Sequence, residues 1–214
     1  IPSISCYVDR CTFVRANHTG ITTHGGVYQT SITNNKILGC PQGIYIRSRN
    51  SIIVGNLVSG GFHSPSNYGI GLYEGWALDS VISSNTVIGF YNGIAVNDAG
   101  GDEEAFKYIG AVITNNTIKN FVKGIVVDRN ANNNSTKPTM LFIANNVMQT
   151  RRGTEIVNGI ELDAYVDGAT VENNSITLYG SKTDTTGVYL YNNCNNIRVN
   201  NNNIRGFHTG VRSP

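Results

Sequence analysis

Apolar and polar positions along this chain repeat one phrase eight times. It runs aliphatic, two polar residues, Asn, any residue, aliphatic, and further on a Gly-Ile or Gly-Val pair. The Asn positions are 35, 56, 85, 116, 146, 174 and 202, with Cys11 in the equivalent place of a first, imperfect copy. Three residues earlier stand Val8, Ile32, Ile53, Ile82, Ile113, Ile143, Val171 and Val199. Two residues later stand Phe13, Ile37, Val58, Val87, Ile118, Met148, Ile176 and Ile204. The Gly pairs are headed by Gly20, Gly43, Gly69, Gly93, Gly124, Gly159, Gly187 and Gly210.

The Asn-to-Asn period is 21 to 31 residues, the mark of a stacked repeat whose unit buries its apolar face only between neighbours. Short β-branched alternations predict strands. After each Gly they read in, out, in, out, as in Gly43-Ile44-Tyr45-Ile46-Arg47. The apolar columns flanking Asn lie an odd five residues apart, so the chain must bend between them. Asn tolerates left-handed backbone better than other non-Gly residues, and stacked Asn side chains at the ~4.8 Å strand spacing can form an amide ladder. The expected fold is therefore all-β, a right-handed single-stranded parallel β-helix of about eight coils. A sandwich or propeller of hairpins would require turns at shorter spacing.

Residues 1–214 read as a single domain, and the absence of a cap at either end predicts a fragment of a longer polypeptide. Apolar residues make up 40% and charged residues 14%, with 24 Gly, which suits a turn-rich all-β chain. A net charge of +2 gives no argument for nucleic acid, and no apolar run reaches membrane-spanning length. Neither membrane insertion nor a signal peptide is predicted. Cys6, Cys11, Cys40 and Cys194 lack metal-binding spacing and read as small core or turn residues; no metal and no cofactor is expected. Sequons at Asn17, Asn115, Asn133, Asn134 and Asn173 follow from the Asn-rich repeat.

Function is expected where the repeat becomes irregular. Long connections fall at 59–68, 149–158 and 177–186 before the Gly strand and at 74–80, 98–111 and 129–140 after it. They wall a groove whose floor is the Gly strand. The fourth position after Gly reads His24, Arg47, Tyr73, Asn97, Asp128, Asp163 and Tyr191; the second reads Thr22, Tyr45, Gly71, Ala95, Val126, Glu161, Tyr189 and Arg212. Aromatic rings, acids and amides in a trough suit a polysaccharide, whose rings stack on aromatics while its hydroxyls take polar partners. An ordinary hydrated sheet face carries similar residues. Asp128, Glu161 and Asp163 cluster in mid-floor and are the candidate catalytic acids, since neighbouring carboxylates raise one another's proton affinity and glycoside hydrolysis uses such a pair. Hydration, or neutralisation by Arg129, is the alternative. Tyr45, Arg47, Tyr73, Glu74, Trp76, Asn97, Asp98, Tyr189 and Tyr191 are the candidate substrate-binding residues. His24 with Arg47 is the one grouping that suits a lyase or epimerase, away from the acids. Exposed apolar positions such as Val126 point to an oligomer.

The Asn-x-Ile plus Gly-Ile phrase, as in residues 113–125, resembles the pectate-lyase-like right-handed β-helix superfamily over nearly the whole chain. In its low charge and irregular one-sided loops it is similar to bacteriophage tailspikes and tail appendages. The resemblance implies a homotrimer on a virion tail or otherwise extracellular, binding and often hydrolysing a host surface polysaccharide. The Asn-Thr-Asp, Gly-His-Gly and Arg-x-Lys signatures of polygalacturonases are missing, so no catalytic residue carries over by motif. Two classes remain: an endo-acting glycosidase, and a non-catalytic adhesin or structural spike segment.

Overall fold

The computed structural model describes residues 5–23, 27–61, 64–73, 79–97, 109–128, 137–151, 156–163, 166–180 and 183–213. Of the expected groove residues His24, Glu74, Trp76 and Asp98 lie outside these, as does Arg129. The described chain is a parallel β-helix of eight coils, each contributing one strand to each of three eight-stranded parallel sheets. Sheet 1 comprises Ser5–Asp9, Gln29–Thr33, Ile52–Val54, Ser80–Ser83, Ile109–Thr114, Lys137–Ala144, Val166–Glu172 and Asn195–Asn200. Sheet 2 comprises Thr12–Val14, Lys36–Cys40, Leu57–Gly60, Thr86–Ile88, Thr117–Lys119, Val147–Arg151, Ser175–Tyr179 and Asn203–Arg205. Sheet 3 comprises Thr19–Thr22, Gln42–Ile46, Tyr68–Tyr73, Asn92–Asn97, Lys123–Asp128, Asn158–Leu162, Thr186–Leu190 and Thr209–Arg212.

The register stacks like on like, as the repeat requires. Ile32, Ile53, Ile82, Ile113, Ile143 and Val171 succeed one another in sheet 1, and Ile44, Ile70, Ile94, Ile125, Ile160 and Val188 in sheet 3. All are essentially inaccessible to solvent. Phe90 and Phe121 fill the interior where sheet 2 turns into sheet 3. Burial of these columns is the main stabilising term, at roughly 1.5–3 kcal/mol per large aliphatic side chain.

The bend between sheets 1 and 2 differs from expectation by one residue. Left-handed backbone falls just before the Asn column, at Arg10, Asn34, Gly55, Ser84, Asn115, Asn145, Asn173 and Asn201, with φ from 52° to 71°. The column Asn instead turns its side chain inward and forms the expected ladder. Nδ2 of Asn35, Asn56, Asn85, Asn116, Asn146 and Asn174 donates to Oδ1 of the next column Asn at 2.9–3.0 Å. Each backbone N–H donates to the same Oδ1. Cys11, which has no amide, joins only through its backbone N–H to Asn35 Oδ1. The ladder thus satisfies buried backbone donors at every bend, which an aliphatic residue could not do.

The phrase glycines have a second role. At Gly43, Gly69, Gly93, Gly124 and Gly159 an added Cβ would point inward and overlap the next coil's carbonyl oxygen and a sheet 2 side chain. Both Gly and the aliphatic residue after it therefore face the core, and the in-out alternation breaks at Gly. The residue before each Gly consequently faces outward. This places an additional outward column on sheet 3 containing Gln42, Tyr68, Asn92, Lys123 and Asn158, which simple alternation does not assign.

Candidate functional site

Three outward columns of sheet 3 now converge: the residue before Gly and the second and fourth after it. They form a trough along the rod with three distinct sections. At one end Tyr45 and Tyr73 lie with ring centroids 4.8 Å apart, and Tyr68 packs edge-on to Tyr73 at 5.5 Å. The Tyr68 and Tyr73 hydroxyls are 2.7 Å apart. Arg47 donates from Nε and Nη2 to the Tyr45 hydroxyl at 3.2 and 3.0 Å, with its guanidinium over the ring. Burial and the hydrogen bond to Tyr68 push the Tyr73 phenol well above its ordinary pKa. With His18, Thr19, Thr22, Gln42 and Ser66 these groups line an open concavity of about 400 Å³.

At the other end Tyr189 and Tyr191 pack edge to face, centroids 4.5 Å apart, with the Arg212 guanidinium over Tyr189. Together with Ile156, Asn158, Asp184 and Thr186 they line a second concavity of about 240 Å³. Burial raises the Tyr191 phenol pKa, and the nearby Glu161 adds to it.

Between them lie the acids. Asp128 and Asp163 stand in adjacent coils, where the Asp163 N–H donates to the Val127 carbonyl at 2.8 Å. The Asp163 carboxyl lies within hydrogen-bonding reach of Asp128, an arrangement that favours a proton held between them. Burial first, then the hydrogen bond and charge of Asp163, push the Asp128 pKa up to about 6. Asn97 Nδ2 donates to Asp128 Oδ2 at 3.4 Å, and its own buried Oδ1 has no partner among the described residues. A smaller hollow of about 140 Å³, lined among others by Tyr68, Asn92, Asn97, Lys123 and Asp128, connects this pair with the Tyr45 end.

The third acid behaves differently. Glu161 sits in the expected outward column yet is only 2% exposed. Its Oε1 accepts from Lys123 Nζ at 2.6 Å and its Oε2 from Asn158 Nδ2 at 2.7 Å. The charge partner is therefore Lys123 in the column before Gly. Burial opposes the Lys123 charge, but the Glu161 hydrogen bond and charge outweigh it and raise its pKa. Val126, expected as an exposed apolar position, is likewise covered, at 6% exposure. Long side chains from the column before Gly lie across these short ones.

The structure thus joins Tyr45, Arg47 and Tyr73 in one cluster, Asn97, Asp128, Glu161 and Asp163 in a second, and Tyr189 and Tyr191 in a third. Sequence reasoning missed Tyr68, Lys123 and Asn158. The signal was present, as each immediately precedes a phrase Gly. A larger concavity of about 530 Å³ lies elsewhere, at Lys119, Asn120, Gln149, Thr150 and Tyr179 on the edge of sheet 2, with no carboxylate among the described residues that line it. Among the described residues no group of His, Cys, Asp or Glu is placed to hold a metal ion.

No protein-family model matches the sequence, and no curated protein is similar to it. Among solved structures, the chain is similar to a mutant tailspike protein of E. coli bacteriophage HK620 in complex with pentasaccharide. The TM-score is 0.65 at 14% identity, over 95% of this chain and 41% of that one. This likeness establishes the parallel β-helix fold. The chain spans less than half the length of that tailspike chain.

Proposed function

We propose that this chain is the glycan-binding β-helix of a tailspike-type protein in the pectate-lyase-like superfamily, and that it cleaves a surface polysaccharide lying along the sheet 3 trough. The observation that carries the reading is the proton-sharing Asp128–Asp163 pair in mid-trough, between two tyrosine-arginine clusters. The clusters offer ring faces for sugars and the acids offer proton transfer where a chain bound at both ends would cross them. Asp128, with its elevated pKa, is the proton donor and Asp163 the base. Glu161 holds Lys123 beside them, and Asn97 orients Asp128. The tailspike similarity supports an oligosaccharide ligand and a virion-tail or extracellular setting, and the homotrimer implied by the sequence resemblance is carried as part of the proposal.

One observation favours a binding-only role. Burial and Asp163 raise the Asp128 pKa to about 6, and an acid beside a carboxylate can bind sugar hydroxyls without cleaving them. The lyase or epimerase reading has less support, because Arg47 is engaged by Tyr45 at the far end of the trough.

Incubation with bacterial surface glycans, read by release of reducing ends, tests the assignment. Cleavage that falls about 100-fold or more in Asp128→Asn and in Asp163→Asn, with binding retained, is expected for general acid–base catalysis. Binding without new reducing ends makes the chain an adhesin, and full activity in both variants removes these acids from the mechanism.

A further inference from the structure

Lys123 and Asn158 are paired across adjacent parallel strands of sheet 3. Between their side chains lies one carboxylate, Glu161, touching Nζ of the first at 2.6 Å and Nδ2 of the second at 2.7 Å. Glu161 and Asn158 are both at least nine-tenths buried, and the Lys123 side chain is 30% exposed. A primary amine, a carboxamide and a shielded proton carrier bonded to both are the components needed for amide exchange.

We propose that Lys123 and Asn158 become joined by an intramolecular isopeptide bond, with Glu161 as the proton carrier. Glu161 Oε1 accepts a proton from the Lys123 ammonium across their 2.6 Å contact, leaving a neutral amine beside the Asn158 amide. Nζ attacks Cγ of Asn158. Glu161 delivers the proton to Nδ2, the Cγ–Nδ2 bond breaks, and a Cγ–Nζ amide remains. Of the three ammonium hydrogens one stays on the new amide and two leave with Nδ2 as ammonium, so Glu161 returns to its ionised form. No oxidation state changes and no co-reactant is needed.

The bond would tie coil five to coil six beside the Asp128–Asp163 pair and close a loop of 36 residues, counted from 123 to 158 inclusive. It also removes the Lys123 charge, which lowers the Asp128 proton affinity while present. The inference stands independently of any glycan activity. Intact-mass measurement on the unmodified chain tests it directly. The expected mass is short by one ammonia, and tryptic digestion yields the peptides around Lys123 and Asn158 as one joined species. Asn158 and Asn92 each precede Gly, so succinimide formation gives the same loss. Hydroxylamine cleaves the chain at a succinimide and leaves the isopeptide bond intact. Full mass, or a mass loss that hydroxylamine converts into cleavage after Asn92 or Asn158 with no joined peptide, overturns the proposal. Lys123→Arg and Glu161→Gln should each restore full mass in soluble protein. A joined peptide persisting in Glu161→Gln overturns the role given to Glu161.

Discussion

Two columns of polar side chains run along this rod at the same coil spacing, and they solve the same problem differently. The interior Asn column repeats one amide through seven coils, each Nδ2 reaching the next Oδ1 at about 3 Å. The sheet 3 column passes from Asn97 through Asp128 to Asp163 and never repeats that pattern. An amide carries both donor and acceptor, so identical amides stack without limit. A carboxylate carries acceptors alone, so stacked acids must share a proton or borrow a cation. Asp128 and Asp163 take the first course and Glu161 takes the second, with Lys123. The column that stacks freely builds the fold, whereas the column that cannot holds Asp128, whose pKa is pushed up to about 6.

The sharpest way to break this contrast is to place an acid in the ladder. Asn116→Asp removes donation to the Ile82 carbonyl and to Asn146 Oδ1 and sets acceptor against acceptor. A loss of about 4 kcal/mol or more is expected at neutral pH in denaturant unfolding, partly recovered in acid. A loss below about 1 kcal/mol would mean the ladder is incidental to stability. Next in size is Glu161→Gln, which leaves the Lys123 cation without its charge partner. The expected cost is about 2 kcal/mol, since Lys123 can reach water at its exposed edge.

The converse substitution, Asp128→Asn, makes the acid column more like the ladder. The Asp128 pKa stands at about 6 when folded against an ordinary 3.8, so the folded state holds its proton longer than the unfolded state. Its contribution to stability is therefore greatest below about pH 4 and declines as pH rises to about 6. Asp128→Asn should be more stable than the parent by about 1 kcal/mol at pH 7, allowing for solvent screening of this half-buried group, with the advantage vanishing near pH 4. Thermal unfolding across that range checks it, and an advantage that grows in acid would reverse the assignment. Cleavage, where Asp128 acts as the donor, should decline above about pH 6. Smallest are Tyr45→Ala and Tyr189→Ala, each expected to weaken glycan binding by about 1 kcal/mol, roughly five-fold, with little change in folding. Titration calorimetry with a glycan that is cleaved or bound measures it.

Most of the fold was legible in the sequence, because a coil buries its aliphatic residues only against copies of itself and so must repeat them. The coil count, the three inward columns and the ladder all follow from that constraint. The bend was misplaced by one residue because Asn serves two purposes in this chain. Asn34, Asn115, Asn145, Asn173 and Asn201 adopt left-handed backbone, while the Asn that follows each supplies the ladder. Composition alone does not separate these roles. Most positions on the trough floor were also legible, as Tyr45, Arg47, Tyr73, Asn97, Asp128, Glu161, Asp163, Tyr189 and Tyr191 follow by counting from Gly. Tyr68, Lys123 and Asn158 escaped because counting by twos assumes a regular strand, and Gly allows two successive inward positions where any Cβ would collide with the next coil.

The sequence by itself determined which residues share a column, since stacking at a fixed rise turns a repeat into a register. Tertiary structure alone decided what each column member does. Depth and partners depend on side chains reaching across from other columns, and these have no period. Lys123 pairs with Glu161, which is out of solvent, whereas Asp128 in the same trough has its proton affinity raised by burial and by Asp163.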